Sequence, residues 1–172
     1  GVPEIRVVHR VNREAGHSML ALKGDVSKAH RRVRIREADH GMQACVLDPG
    51  KVWLNLVGTF GIGSAAYWWA RAAGGPSRAT MYLIENQWFW TLLFADDYLW
   101  ITGGPKADIS LMMALLLLVG LGMPFSWKKF RGGHQLDWVG YWLDVKTFEV
   151  GVSTSRAGWI IKWTQARLDE GA

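Results

Sequence analysis

Three aspartates carry the chemistry available to this sequence. Asp96 and Asp97 stand side by side between two apolar runs, Trp88 to Ala95 and Tyr98 to Thr102. Asp25 follows a shorter apolar run, Met19 to Leu22, across Lys23 and Gly24. Two apolar runs split by two acids read as a tight hairpin with carboxylates at its tip. Two unit charges about 4 Å apart repel by roughly 4 kcal/mol at an effective dielectric near 20. A third carboxylate in the same place is tolerated only where protons or cations compensate. Hard divalent ions such as Mg²⁺ take oxygen ligands and keep waters that substrate phosphates can replace. Two such ions, about 3.5–4 Å apart, can activate an attacking oxygen and stabilise a leaving one. The residue types therefore suit nucleotidyl transfer, and that chemistry needs Asp25, Asp96 and Asp97 to converge on one metal-sized gap. The plain alternative is a solvated turn, since Asp is common in turns.

The rest of the composition narrows the setting. At 172 residues, with 49% hydrophobic and 20% charged, the chain has enough apolar material for one folded domain. A net charge of +5 and a pI near 9.6 suit a polyanionic partner such as nucleic acid. Cys45 is the only cysteine, which excludes an internal disulfide and a cysteine-built zinc site. His9, His17, His40 and His134 show no metal-ligand spacing. The eleven tryptophans spread from Trp53 to Trp163, too widely to mark one function. No signal-peptide layout is present and the sequence opens on Gly1, so a piece of a longer, intracellular protein is expected. Ile109 to Trp127 is uncharged, but Gly120, Gly122, Pro124 and Ser126 interrupt it. A helix from Ile109 to Val119 would be about 16 Å long, short of a bilayer core. A buried helix is expected there, and no membrane partner.

The elements that must position the acids follow from local patterns. Ile5 to Val11 alternates loosely and suggests an edge strand carrying Arg6, Arg10 and Arg13. Met19 to Leu22 suggests a buried strand ending on Asp25. The run His30 to Arg36 suggests an exposed strand face, with Val33 and Ile35 turned inward. Met42 to Leu47 and Val52 to Val57 flank Asp48-Pro49-Gly50-Lys51 as a hairpin. Ser64 to Ala73 suggests a helix stopped by Gly74-Gly75-Pro76, with a second helix from Ser77 to Asn86. After the acidic hairpin and the apolar helix comes a basic turn at Lys128-Lys129. Leu136 to Val145 and Phe148 to Val152 suggest paired strands, and Ala157 to Leu168 an amphipathic helix. This order is α+β, without regular βαβ alternation.

Five motifs in one order resemble the reverse transcriptase family. Gly24-Asp25-Val26-Ser27-Lys28-Ala29-His30 resembles its first palm motif, and Phe60-Gly61-Ile62-Gly63-Ser64-Ala65 the glycine-containing turn into a helix. Phe94-Ala95-Asp96-Asp97 resembles the aromatic-x-Asp-Asp hairpin. Gly122-Met123-Pro124-Phe125-Ser126-Trp127-Lys128-Lys129 resembles the stretch ending in a lysine near the nucleotide phosphates. Trp138-Val139-Gly140-Tyr141 resembles the grip on the primer strand. The resemblance covers residues 18 to 145 and implies a right-hand polymerase palm, a small antiparallel sheet backed by helices. It implies that Asp25, Asp96 and Asp97 hold two Mg²⁺ ions, with Mn²⁺ as a substitute. Val26, Ser27, Lys28 and Ala29 would face the triphosphate through their backbone, and Phe60 and Gly61 would support nucleotide and template. Lys129, with Lys128 as the other candidate, would approach the pyrophosphate as a general acid. Trp138, Gly140 and Tyr141 would contact the primer. The implied partners are an RNA or DNA template with primer and deoxynucleoside triphosphates.

The sequence departs from the family at several places. His30 stands where the family carries Tyr or Phe, the ring that excludes a ribose 2′-hydroxyl, and Ala65 or Ala66 where many members have proline. Residues 1–152 correspond to the palm with the fingers largely missing, and residues 153–172 to the start of a thumb or a C-terminal helix. No RNase H-like portion fits. Arg31, Arg32, Arg34 and Arg36 suit either phosphate contact or a solvated strand face, whereas Trp138 and Trp142 suit the core more than base stacking. RNA-directed DNA synthesis is the leading expectation. A catalytically inactive nucleic-acid-binding remnant of a retroelement, an RNA-dependent RNA polymerase palm and a small membrane protein are the alternatives. In the complete parent protein, Asp96→Asn should abolish primer extension while circular dichroism shows the fold intact; extension retained by that variant rules out the assignment.

Overall fold

The computed structural model describes residues 2–59 and 62–171. In chain order the elements are α1 (Val2–Glu14), β1 (Met19–Asp25), β2 (Ala44–Asp48), β3 (Lys51–Leu54), α2 (Gly63–Leu83), β4 (Phe89–Phe94), β5 (Asp97–Gly103), α3 (Ala107–Gly120), β6 (Arg131–Gly133), β7 (Gln135–Trp138), β8 (Tyr141–Asp144), β9 (Glu149–Val152) and α4 (Thr154–Asp169). Short 3₁₀ turns cover Ala29–Arg32, Glu37–Gln43 and Trp127–Lys129. This is the expected α+β class, a small antiparallel sheet backed by helices.

The central sheet runs β4-β5-β1-β6, with each neighbouring pair antiparallel. Side chains alternate between its faces, so the sheet holds two separate cores. On one face Tyr98, Trp100 and Phe89 pack with Trp69 and Ala73 of α2 and Leu111, Ala114 and Leu118 of α3. On the other, Met19, Ala21, Leu99 and Ile101 pack with Ile5 and Val8 of α1 and with Trp138 and Leu143 of a second sheet, β7-β8-β9. In the β8–β9 turn the Asp144 carboxylate accepts from Gln135 Nε2 (2.6 Å) and from the N–H groups of Lys146 and Thr147. Gln135 foremost, with those turn donors, holds its carboxyl below the ordinary carboxylate pKa.

Four local expectations are corrected. Ile5 to Val11 is helix: Ile5, Val8, His9 and Asn12 are buried at helical spacing, while Val7 is 48% exposed. An apolar stripe at this spacing is satisfied by one helix face against the sheet, and Arg6, Arg10 and Arg13 lie on its exposed side. The helix beginning near Ser64 does not stop at Gly74-Gly75-Pro76 but runs unbroken to Leu83. Proline inside a helix removes a donor and costs about 3 kcal/mol, yet here tertiary contacts support the turn. Ser77 Oγ donates to the Ala73 carbonyl (2.7 Å) and shares a hydrogen bond with the Tyr98 hydroxyl (2.7 Å), which also reaches that carbonyl at 3.4 Å. The run His30 to Arg36 is a 3₁₀ turn followed by a single bridge, Arg34 to Val57. Leu136 to Val145 is two strands, because Trp138 pairs with Tyr141 across Val139 (φ 50) and Gly140 (φ 77). Positive φ at both central residues is the type I′ signature of two-residue hairpins.

The hairpin around Gly50 forms as expected, with its second strand ending at Leu54. The apolar helix α3 is 14 residues long, and no helix among the described residues is long and apolar enough to cross a membrane. The last helix forms, but none of its residues is buried, so its apolar side lies open. Replacing Ile5 by Ala should lower stability by about 2–5 kcal/mol, whereas Val7→Ala should change it by less than about 0.5 kcal/mol. A strand would put both residues on one face and make the two urea midpoints shift alike.

Candidate active site

The antiparallel register of β1 and β5 sets Asp25 directly opposite Asp97. Residues opposite one another in such a pair share a face, with Cβ atoms about 4.5–5.5 Å apart. Asp96 precedes Asp97 in the β4–β5 turn, whose flanking pair is Phe94 and Asp97. Ala95, the first turn residue, has φ 52, a left-handed conformation that costs an L-residue roughly 1–2 kcal/mol. The turn is held by its carbonyls. Trp69 Nε1 of α2 donates to Ala95 O (2.9 Å), Val26 N–H to Asp96 O (2.9 Å) and Trp138 Nε1 of β7 to Asp97 O (3.4 Å). Three consecutive carbonyls are thus gripped from three directions.

A second segment closes over Asp25. Ser27 N–H donates to Pro124 O (2.7 Å) and Ser126 N–H to Asp25 O (2.8 Å), and Val26 bridges to Phe125. Gly24 lies under the Phe130 ring; a Cβ there would sit 2.6 Å from the ring edge. This docking delivers Lys129, whose Nζ lies 2.9 Å from Asp25 Oδ2. The Asp25 side chain is 13% exposed and that of Lys129 63%. Lys23, two residues before Asp25 on the same strand face, donates through Nζ to the Asp137 carbonyl of β7. Lys23, Gly24, Asp25, Asp97, Lys129 and Arg131 line an open concavity of roughly 460 Å³. Larger hollows near Trp68 and near Trp88 contain no facing pair of acids.

Electrostatics follow this crowding. Burial raises the Asp97 pKa, and the Asp96 and Asp25 charges raise it further, while Lys23 and Lys129 oppose the shift. The hydrogen bond and charge of Asp25 push the Lys129 ammonium up. The expected convergence of three carboxyl groups is not a finished ligand set. Among the described residues no group of three or more His, Cys, Asp or Glu is arranged to hold a metal ion. The physical reason lies in the pairing: Asp25 faces Asp97, Asp96 belongs to the turn, and an ammonium already occupies one oxygen of Asp25. The donors that are present, two hard carboxylates with surplus negative charge, fit Mg²⁺ or Mn²⁺.

The other residues singled out in the sequence fall around this centre. Val26 is buried, and its N–H and that of Ser27 are used within the protein; Lys28 is exposed with φ 55 and Ala29 is buried. His30 is half-buried, and its carbonyl lies so close to Gly58 that a Cβ on Gly58 would meet it at 2.6 Å. Phe60 and Gly61 lie outside the described residues. Trp138 is a core residue, as its sequence reading favoured, and its indole also supports Asp97. Gly140 leaves room for the Arg156 guanidinium, which sits 5.5 Å above the Tyr141 ring. Lys23, Trp69, Phe130 and Arg131 were not singled out. Only Lys23 had a legible signal, its two-residue spacing from Asp25 in a strand.

A four-stranded antiparallel sheet with two helices on one face, a third helix and a small sheet on the other, and an acid-tipped hairpin at one end is a reverse-transcriptase-like fold. Among solved structures, telomerase from Candida albicans bound to a fragment of telomeric RNA matches with a TM-score of 0.66 at 12% identity, over 88% of this chain and 33% of that one. The foamy viral protease-reverse transcriptase bound to an RNA/DNA hybrid matches with a TM-score of 0.59 at 12% identity, over 79% of this chain and 17% of that one. Apo telomerase from Candida tropicalis matches with a TM-score of 0.63 at 10% identity, over 88% and 39%. This chain therefore spans well under half the length of those proteins. No family model and no curated protein matches the sequence.

The raised Asp97 pKa has a stability consequence. A carboxyl whose folded pKa lies above its unfolded value stabilises the fold below the unfolded pKa, and that stability is lost as pH rises through the folded pKa. Asp97→Asn cannot ionise, so in EDTA it should melt above the wild type near pH 7 and converge with it towards about pH 3. Equal Tm values across that range would show that neither burial nor the neighbouring charges penalise the ionised Asp97.

Proposed function

We propose that this chain is the palm of a template-directed nucleic acid polymerase of the reverse transcriptase type, making DNA on an RNA template. The observation that carries the reading is the pairing of Asp25 with Asp97, beside Asp96, at the end of a reverse-transcriptase-like sheet. Asp25 and Asp97, with Asp96 brought in from the turn, are the residues that would hold Mg²⁺ or Mn²⁺. Such ions, when bound, supply Lewis-acid activation of the primer's 3′ oxygen and charge stabilisation at the leaving phosphate.

The protein's own groups supply the remainder. The clamped carbonyls of residues 95–97 keep the acids in place, so little reorganisation is needed when charge develops. Lys129, held on Asp25, would meet an incoming triphosphate and donate a proton to the departing pyrophosphate. Arg131, exposed and lining the concavity with Asp25, and Lys28, exposed three residues after Asp25 in the chain, suit the outer phosphates of the nucleotide. His30, on the turn that follows, would line the sugar. The β7–β8 turn, with Gly140, Tyr141 and Arg156, is joined to the acid sheet through Trp138 and Lys23, which suits a contact with the primer strand. Arg31, Arg32, Arg34 and Arg36 are all exposed and suit template phosphates, so binding would weaken with salt.

A second reading, a nucleic-acid-binding module without catalysis, is favoured by the absence of a ready three-acid ligand group among the described residues. Primer extension on an RNA template with deoxynucleotides and Mg²⁺, using the complete parent protein, separates the two. Polymerase function requires extension that falls at least about 100-fold in Asp25→Asn and in Asp97→Asn, as the loss of several kcal/mol of charge stabilisation implies. Unchanged extension in both variants overturns the reading. Tight, salt-sensitive binding with no extension selects the binding module, and preferential use of ribonucleotides would reassign the product to RNA.

A further inference from the structure

We infer that Lys129 is a resident counter-ion of the acid site, one that must leave Asp25 before a divalent cation can bind there and that is thereby released towards the phosphates of the substrate. The inference rests on the polymerase reading of the acids but concerns how their site is kept and opened. A strand register that sets one carboxylate against another calls for a proton or a positive charge in every state of the protein, including the one without metal. Two lysines provide it here, and they are held differently. Lys23 extends from the strand face beside Asp25 and is committed through Nζ to the Asp137 carbonyl. Lys129 instead bonds Asp25 Oδ2 at 2.9 Å while 63% of its side chain remains exposed.

The backbone beneath Lys129 is fixed. Its N–H donates to Ser126 O (2.9 Å), and the Phe130 ring that follows stacks on Trp127 (4.9 Å) and Trp100 (6.1 Å) while filling the space above Gly24. Only the side chain is free to move, an ammonium on a flexible four-carbon stem with solvent on its outer side. An ion binding Asp25 would compete with the Lys129 ammonium for the carboxylate's charge, and directly for Oδ2. Displacement costs one ion pair and frees one cation beside the open concavity, where a triphosphate would arrive. Metal occupancy and phosphate affinity are then coupled, and the coupling acts equally in both directions.

Mn²⁺ binding to the full chain without nucleotide, followed by electron paramagnetic resonance, tests this. Lys129→Met should bind Mn²⁺ about tenfold more tightly than wild type, the effect of removing a partly screened unit charge from Asp25. Lys129→Arg keeps the competing cation and should bind no more tightly than wild type. In EDTA the Met variant should melt below wild type, and Mn²⁺ should raise its Tm by more than it raises that of wild type. A lysine with only a structural role gives the opposite sign, a destabilised fold with unchanged or weaker Mn²⁺ affinity, and that result overturns the inference while leaving the acid site standing. Absence of any Mn²⁺ binding that Asp25→Asn abolishes, in wild type and Met variant alike, overturns the acid site and the inference together.

Discussion

The antiparallel pairing of β1 with β5 places the Asp25 carboxylate against that of Asp97, and the surrounding structure is arranged to tolerate this repulsion. Burial foremost, then the charges of Asp96 and Asp25, pushes the Asp97 pKa up, so uncompensated acids here favour protonation. The protein adds Lys129 on Asp25 and Lys23 on the same face, and leaves the pair at the rim of an open concavity instead of sealing it. A fold selected for stability alone would place apolar or opposite-charge partners at these two positions. Retaining like charges there agrees with the proposed role, in which cations would complete the site.

Both cores converge on this one point. The helix-side core sends Trp69 to the carbonyl of Ala95, and the opposite core sends Trp138 to that of Asp97. Between them, the chain leaving β1 bonds Asp96 and then zips against residues 124–126. The positive φ of Ala95 persists because these contacts over-determine the turn. The two buried indoles therefore act in packing and in positioning at once.

The charge distribution extends the same logic outward. Arg6, Arg10 and Arg13 line the open side of α1, and Arg31, Arg32, Arg34 and Arg36 the segment after the first acid. The net charge of +5 thus lies in exposed basic stretches while the acids of the site remain few and paired. A polyanion would be drawn to such a surface, and the acids would act only where cations screen them.

Much of the site was legible in the chain itself. Asp96-Asp97 between two β-rich apolar runs reads as a hairpin tip, and Met19 to Leu22 leading to Asp25 as a short buried strand, because both signals are local. The helix α3 was legible for the same reason. Other segments were decided only by packing. Ile5 to Val11 fits a strand or a helix until a sheet face selects the stripe Ile5, Val8, Asn12. Pro76 reads as a helix stop until the turn beside it is anchored to the sheet through Ser77 and Tyr98. No local pattern could show that Lys129 bonds Asp25, 104 residues away, or that Trp69 and Trp138 hold the hairpin. Composition and local pattern determined which groups could do chemistry and which elements carry them. The tertiary structure decided their register and their counter-ions, because charge interactions depend on distance through space and the chain order does not contain it.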